Sequence, residues 1–171
     1  MVTTDDLNEV FDVVDENDLV LGKTTRREVH LNKNLIHRSV GIAVFNSRQM
    51  IFLQRRSVTK DTDALLWTIS CSGHVRAGDN YENAAKRELH EELGISDVAL
   101  NLLSKYIYEG KNETEITTLY KVNYDGEITL LKEEILEGRF FTKADLTASV
   151  TAKEVELNKY GRKALQKLGW L

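Results

Sequence analysis

One stretch of the sequence, Gly73 to Ile95, constrains the fold and the chemistry of this chain more than any other. Asp79 is a favourable N-cap, and Glu82, three residues later, can accept a hydrogen bond from the backbone of the cap, so the pair predicts a helix start. Gly94 is a natural residue for the end of that helix. Apolar residues between them recur at roughly helical spacing and predict a face buried against a core: Ala84, Ala85, Leu89 and Leu93.

Three glutamates form a second face of the same predicted helix. Glu88, Glu91 and Glu92 stand at positions i, i+3 and i+4, where each pair of like charges destabilises a helix by about 0.2–0.5 kcal/mol. A cation close to the carboxylates would relieve this repulsion, and hard oxygen ligands suit Mg²⁺ or Mn²⁺, which also bind substrate phosphates. A solvent-exposed acidic face is the more common role of such a helix, so the flanking residues decide between the two interpretations.

The flanking residues favour the metal site. Gly73, followed by the pattern Arg87-Glu88-Leu89-x-Glu91-Glu92-x-Gly94-Ile95, resembles the Nudix box, the strand–loop–helix signature of enzymes that split diphosphates linked to another group. The one departure is Asp79, where that family usually has glutamate. The resemblance implies a Nudix-type α/β/α sandwich with a mixed central sheet, in which the three glutamates hold Mg²⁺ or Mn²⁺ and Arg87 orients their carboxylates.

Length and charge limit the remaining possibilities. With 171 residues, the chain is predicted to be a single domain over residues 1–171, with a frayed tail at residues 1–8. A net charge of −4 gives no electrostatic footprint for long nucleic acid, although a small phosphorylated ligand needs only a local basic clamp. The single cysteine excludes an internal disulfide, and the sequence has neither a signal peptide nor a membrane-length apolar run. These features predict a cytoplasmic protein with no membrane contact and leave monomer and homodimer open.

The rest of the sequence alternates short apolar runs with polar, turn-forming segments, which is typical of a mixed sheet flanked by helices. The predicted elements are a hairpin (9–14 with 19–21), a short helix 26–31 capped by Thr24 or Thr25, a second hairpin (40–45 with 50–54), strands 65–70, 98–108, 115–124 and 139–142, and a last helix 152–168 capped by Thr151. The strand 65–70 leads into a loop that contains residues 71–74.

A second group of residues has the chemistry of a metal site. Three histidines and two glutamates would suit Zn²⁺, Mn²⁺ or Mg²⁺ if the fold brings them together: His30, His37, His74, Glu113 and Glu115. Each of them alone has an ordinary explanation, such as an exposed helix residue or a loop carboxylate. The group becomes specific only when its members are considered together.

Considered together, these residues resemble a known arrangement. From Arg26 to Glu115 the chain is similar to type I isopentenyl-diphosphate isomerase, a Nudix-fold enzyme whose metal is held by three histidines and two glutamates at matching positions. The same resemblance implies that Arg26, Arg56 and Lys60 hold the diphosphate. Guanidinium and ammonium groups suit that role.

Several positions depart from the isomerase pattern. Ser72 stands where that family has a catalytic cysteine, and Cys71 is one residue away, on the opposite face if the segment is extended. A hydroxyl is a far weaker proton donor than a thiol. The isomerase tryptophan has no clear counterpart in Trp67 or Trp170, and its tyrosine is matched only by two candidates, Tyr106 and Tyr108. In addition, the chain keeps two box glutamates that isomerases tend to lose, Glu88 and Glu91.

The sequence therefore favours a metal-dependent hydrolase that cleaves the diphosphate linkage of a nucleoside diphosphate-X substrate. A box glutamate, Glu113 or Glu134 is the candidate general base. Two alternatives stay open: an isomerase that uses Ser72 or Cys71 with Glu115, and a module that binds a diphosphate without turnover. The group attached to the diphosphate is expected to be selected by loops near residues 62–65 and 132–138.

Overall fold

The computed structural model describes residues 6–60 and 62–171. Of the predicted frayed tail, residues 1–5 lie outside the described residues. Residues 6–8 form a turn in which the backbone nitrogen of Glu9 lies 3.1 Å from the carbonyl oxygen of Asp6. Among the described residues, no helix is both long and apolar enough to cross a bilayer.

Nine strands and four helices make up the described chain. In order they are β1 (Val10–Val14), β2 (Val20–Thr25), α1 (Arg26–Leu31), β3 (His37–Phe45), β4 (Ile51–Arg56), β5 (Trp67–Ile69), β6 (Cys71–His74), α2 (Tyr81–Leu93), β7 (Asn101–Glu109), β8 (Thr114–Asn123), β9 (Ile135–Phe141), α3 (Lys143–Thr151) and α4 (Lys159–Lys167).

The central sheet is mixed, as predicted. Its main order is β5-β4-β3-β8-β7, with β6 paired to β3 and β9 paired to β4. β3 and β8 run parallel, whereas the other pairs of this sheet are antiparallel. β1 and β2 form the predicted separate hairpin.

Helices cover both faces of the sheet. Because side chains alternate along a strand, β3 sends Ile42 and Val44 into one core cluster and Ala43 and Phe45 into another. The first cluster contains the apolar face of α2, and the second contains buried residues of α3 and α4. The predicted α/β/α sandwich is therefore confirmed.

The central helix α2 follows the prediction except at its first turn. Its N-cap is Asn80, whose side chain accepts a hydrogen bond from the backbone nitrogen of Asn83 at 2.9 Å. The predicted cap, Asp79, instead accepts from the backbone of Asn80, because the helix begins one residue later than expected. Gly94 ends the helix with a φ of 67°, a left-handed conformation that glycine adopts without steric cost.

The prediction of one final helix over residues 152–168 is wrong. Thr151 is the last residue of α3, and α4 begins at Lys159 with Asn158 as its N-cap. Between them the chain pairs with β5, since the backbone nitrogen of Trp67 donates to Glu156 at 2.8 Å and Trp67 in turn accepts from Asn158 at 2.9 Å. Pairing with a strand requires an extended backbone, which interrupts the helix.

Residues 71–74, predicted as a loop, form strand β6. Gly73 lies opposite Val40, and His74 lies opposite Ser39 of β3. The pairing partner is distant in the sequence, so local patterns did not reveal it. The short helix α1 is as predicted, because Thr25 and Glu28 form a complete capping box at its start.

Candidate active site

A cavity of about 420 Å³ collects most of the predicted site residues. It lies where α1, the end of β4, β6, α2 and the start of β8 meet. Of the predicted set, all but His37 line this cavity: Arg26, His30, Arg56, Lys60, His74, Arg87, Glu88, Glu91, Glu92, Glu113 and Glu115. The box glutamates, the histidine–glutamate group and the three cations thus share one space.

Arg87 links the acidic face of α2 to the sheet. Its Nη1 lies 2.5 Å from Oε1 of Glu88 and 3.4 Å from Oε2 of Glu91, while its Nη2 donates to the carbonyl oxygen of His74 at 2.9 Å. Charge-assisted hydrogen bonds of this kind fix the direction of a carboxylate. This geometry is what a carboxylate-orienting role requires.

Gly73 leaves room for Glu88. A β-carbon built on Gly73 would lie 2.2 Å from Cδ of Glu88, so the carboxyl group occupies the space that any larger residue would fill. The φ of Gly73 is not positive, so its backbone conformation does not require glycine. The reason for glycine at this position is the close approach of the strand to the Glu88 side chain.

Two of the three box glutamates are buried, which changes their protonation. Glu88 is 9% exposed and Glu92 is 5% exposed. Burial raises the pKa of Glu88 to about 7 and that of Glu92 to about 8, although Arg87 and Gln54 respectively act in the opposite direction. A divalent cation between these carboxylates would offset the repulsion and the burial of charge, so the donor set fits Mg²⁺ or Mn²⁺.

The second predicted metal group is also brought together. His37, His74, Glu113 and Glu115 each offer one ligand atom, and these atoms all lie within 4.8 Å of one another. The parallel pairing of β3 with β8 sets His37 opposite Glu115, and β6 places His74 two residues further along β3. His30 of α1 completes the group, because its Nε2 lies 2.9 Å from Oε2 of Glu113.

The chemistry of this group fits a transition metal. Nε2 of His37 is buried without a hydrogen bond and lies 3.8 Å from Glu113 and 3.7 Å from Glu115. Burial lowers the pKa of His37 to about 3, so the ring is neutral and its lone pair is available. A buried imidazole directed at two carboxylates is suited to binding Zn²⁺ or Mn²⁺.

The three predicted phosphate-binding cations lie around the same cavity. Nη1 of Arg26 is 3.0 Å from Nδ1 of His74. Arg56 contacts the carbonyl oxygen of Thr62 at 3.1 Å, and Lys60 lies 3.3 Å from Oε2 of Glu134. Positive and acidic side chains therefore line the same cavity.

Only some of the residues considered as counterparts of the isomerase catalytic residues line the cavity. Ser72 lines the cavity, whereas Cys71 is fully buried in the first core cluster, where burial raises the pKa of its thiol. Tyr108 lines the cavity but Tyr106 does not. The two tryptophans belong to the second core cluster on the other face of the sheet.

Sequence reasoning missed Gln54. Its Nε2 donates to Oε2 of Glu92 at 2.6 Å and lies 3.2 Å from the carbonyl oxygen of Ser70. The signal was a single polar residue two positions after Phe52 in an apolar strand, which places it on the face that packs against α2.

Comparisons with known proteins identify the family. The NUDIX domain family matches residues 35–165, and the chain therefore belongs to the Nudix family. An uncharacterized Nudix hydrolase of Pseudomonas aeruginosa is 34% identical over 132 residues, covering 77% of this chain and 78% of that protein. The crystal structure of DR0079 from Deinococcus radiodurans superposes with a TM-score of 0.78 at 23% identity, over 92% of this chain and 98% of that one, which supports the fold.

Isopentenyl-diphosphate isomerases are also among the relatives. Isopentenyl-diphosphate Delta-isomerase 2 of Photorhabdus laumondii is 39% identical over 102 residues, which cover 60% of this chain and 56% of the isomerase. The chain thus matches only about half of that relative's length. Relatives of both names, hydrolase and isomerase, are consistent with a Nudix branch that resembles the isomerases.

Proposed function

We propose that this chain is a Mg²⁺- or Mn²⁺-dependent hydrolase that cleaves the diphosphate linkage of a nucleoside diphosphate-X substrate. The observation that carries the proposal is the shared cavity, which is lined by buried Glu88 and Glu92 and also by Arg56 and Lys60. The carboxylates suit divalent cations, and the guanidinium and ammonium groups suit phosphates.

The side chains that line the cavity divide into metal-binding carboxylates, an arginine that orients carboxylates, and cations that bind the phosphates. A divalent cation bound there would neutralise the charge that develops on the phosphates and would lower the pKa of a nearby water. Glu88, Glu91 and Glu92 would hold the cation, and Arg87 orients the carboxylates of Glu88 and Glu91. Arg26, Arg56 and Lys60 orient the diphosphate so that a water can approach one phosphorus in line with the bridging oxygen.

The reaction balances with water as the only co-reactant. The water oxygen forms a bond to one phosphorus, the bond from that phosphorus to the bridging oxygen breaks, and two phosphomonoesters are released. The water proton passes to a carboxylate. Glu113, Glu134 and a box glutamate remain the candidates, and all of them line the cavity.

The proposal extends to the domain organisation, the type of substrate, the cellular location and the second metal ion. Residues 1–171 act as a single Nudix domain, the substrate is a small diphosphate compound rather than long nucleic acid, and the protein works in the cytoplasm as a monomer or homodimer. The histidine–glutamate group holds a second divalent ion, Zn²⁺ or Mn²⁺.

Phosphorus NMR tests the proposal directly. Purified protein with Mg²⁺ is incubated with nucleoside triphosphates, nucleotide sugars, dinucleoside polyphosphates and isopentenyl diphosphate, in parallel with Glu92→Gln. We expect new monophosphate resonances from the wild type and turnover lower by orders of magnitude in the variant, which should stay folded. Activity of Glu92→Gln within a few-fold of wild type would remove the assignment.

A second candidate is the isomerase reaction, which the histidine–glutamate group favours and for which Ser72 would have to act in place of the family's cysteine. It moves a double bond in a five-carbon diphosphate and releases no phosphate. In the same experiment, conversion of isopentenyl diphosphate into its allylic isomer with both phosphorus atoms retained would support it. Ligand binding without any conversion would instead support a diphosphate-binding module.

A further inference from the structure

Helix α4 carries a cationic face. Lys159, Arg162 and Lys163 stand at i, i+3 and i+4, and the helix contains no acidic residue. Within residues 6–60 and 62–171, no carboxylate forms a salt bridge with any of the three. Like charges at this spacing repel one another, so the face is suited to an anionic partner.

A second cavity lies against this face. It has a volume of about 410 Å³ and is bounded by α4 and by residues 107–109 of β7. Nζ of Lys159 donates to the carbonyl oxygen of Glu109 at 2.5 Å, which ties the start of α4 to the end of β7. Three cations and a single carboxylate, that of Glu109, line the cavity, so its walls are net positive on a chain with a net charge of −4.

Tyr108 connects this cavity to the candidate active site. Tyr108 lines both cavities, and two residues at the start of α4, Asn158 and Tyr160, also line the first. The ring of Tyr108 packs edge-on against that of Tyr160, with centroids 5.1 Å apart, so its position is fixed between the two spaces. The two cavities therefore share a wall at Tyr108, and Arg162 and Lys163 line the second cavity but not the first.

We propose that the second cavity is a phosphate-binding subsite, which takes a phosphate monoester on the part of the substrate that lies away from the cleaved diphosphate. This rests on the proposed function of the first cavity. Arg162 contributes a guanidinium that can bind phosphate oxygens in pairs, and Lys163 adds a mobile point charge. The substrate class is then a diphosphate compound with a third, separate phosphate.

Matched ligand pairs test the subsite. NADPH and NADH differ by one 2′-phosphate distant from the diphosphate, and ADP-ribose 2′-phosphate and ADP-ribose form a second pair. Affinity is measured by calorimetry with Ca²⁺ in place of Mg²⁺, and kcat/KM by product formation with Mg²⁺. The proteins compared are the wild type, Arg162→Ala/Lys163→Ala and a control with two exposed cations removed elsewhere, Lys23→Ala/Arg48→Ala.

For the wild type we expect the member with the extra phosphate to bind about tenfold more tightly, the ratio that about 1.4 kcal/mol produces. The ratio should fall to near one in Arg162→Ala/Lys163→Ala and stay unchanged in the control. Equal affinity within both pairs, or a ratio that survives the double substitution, would overturn the subsite. Tighter binding of the ligands that carry the extra phosphate, without cleavage of any ligand, would support the subsite and count against the hydrolase. The two proposals can therefore be distinguished by this experiment.

Discussion

The side-chain amide of Gln54 donates a hydrogen bond to Glu92, with 2.6 Å between Nε2 and Oε2. Gln54 lies in β4 and Glu92 in α2, so this bond joins the sheet to the acidic face of the Nudix box. It favours the ionised carboxylate, whereas burial favours the protonated one and raises the pKa of Glu92 to about 8. The hydrogen bond from Gln54 therefore orients the Glu92 carboxyl group. In the absence of a cation, burial of the ionised carboxylate lowers the stability of the fold.

We expect Glu92→Gln to stabilise the metal-free protein at alkaline pH. The folded-state pKa of Glu92 is raised from 4.5 to about 8, so its contribution to stability is complete below pH 4.5 and is lost as pH rises through 8. Glutamine carries no charge and can still accept from Gln54. In EDTA the free energy of unfolding of the variant should exceed that of wild type by up to about 5 kcal/mol at pH 9 and by much less at pH 5.

Urea unfolding at the two pH values measures this difference. The comparison with wild type reports the Glu92 charge together with its effect on Glu88, because the neighbouring Glu88 carboxylate contributes to the raised pKa of Glu92. Added Mg²⁺ should stabilise the wild type and have little effect on the variant. A variant that is less stable than wild type at pH 9 in EDTA would contradict the prediction.

Gly73→Ala should damage activity more than folding. The new methyl group would overlap the carboxyl end of Glu88, which is flexible enough to move aside. We expect turnover to fall by about 10- to 100-fold, as misplacement of a catalytic group by about 1 Å can produce, with a small change in Tm. Gly22→Ala is the control, since its β-carbon would meet nothing within 4 Å. Equal activity in both variants would exclude the close approach as a functional requirement.

The histidine–glutamate group should bind its own ion. We expect His37→Gln and Glu115→Gln to lower the affinity for Mn²⁺ or Zn²⁺ by more than about tenfold, because each removes or weakens a ligand. Metal content after dialysis, measured by plasma mass spectrometry, should fall by one equivalent in these variants. His90→Gln, an exposed histidine on α2, should retain the wild-type content. Unchanged metal content in all three variants would show that the group is not a metal site.

Arg56→Ala should weaken substrate binding. Arg56 lines the cavity, whereas its neighbour Arg55 faces away and pairs with Glu137 at 3.1 Å, so the two guanidiniums differ mainly in direction. We expect KM to rise by about tenfold or more in Arg56→Ala, since charge-assisted bonds contribute about 1.5–3 kcal/mol. Steady-state kinetics of the two alanine variants checks this. A similar KM in both would remove Arg56 from the phosphate clamp.

Much of this arrangement was predictable because its signals are local. The capping box of α1, the glycine that ends α2 and the apolar face of α2 each depend on residues within one or two helical turns. The strands of the mixed sheet followed from alternation and turn residues. Where a segment was assigned wrongly, a distant strand was the cause: β3 draws residues 71–74 into the sheet, and β5 holds the chain between α3 and α4 extended.

The sequence by itself determined the family, the spacing of the box glutamates and the residue types of both candidate metal groups, because these are properties of short windows of the chain. Only the tertiary structure decided which residues meet. The parallel pairing of β3 with β8 brings His37 to Glu115, β4 brings Gln54 to Glu92, and the start of α4 brings a cationic face beside Tyr108. Such contacts join residues that are far apart in the chain, so they depend on strand order and register, which no local pattern encodes.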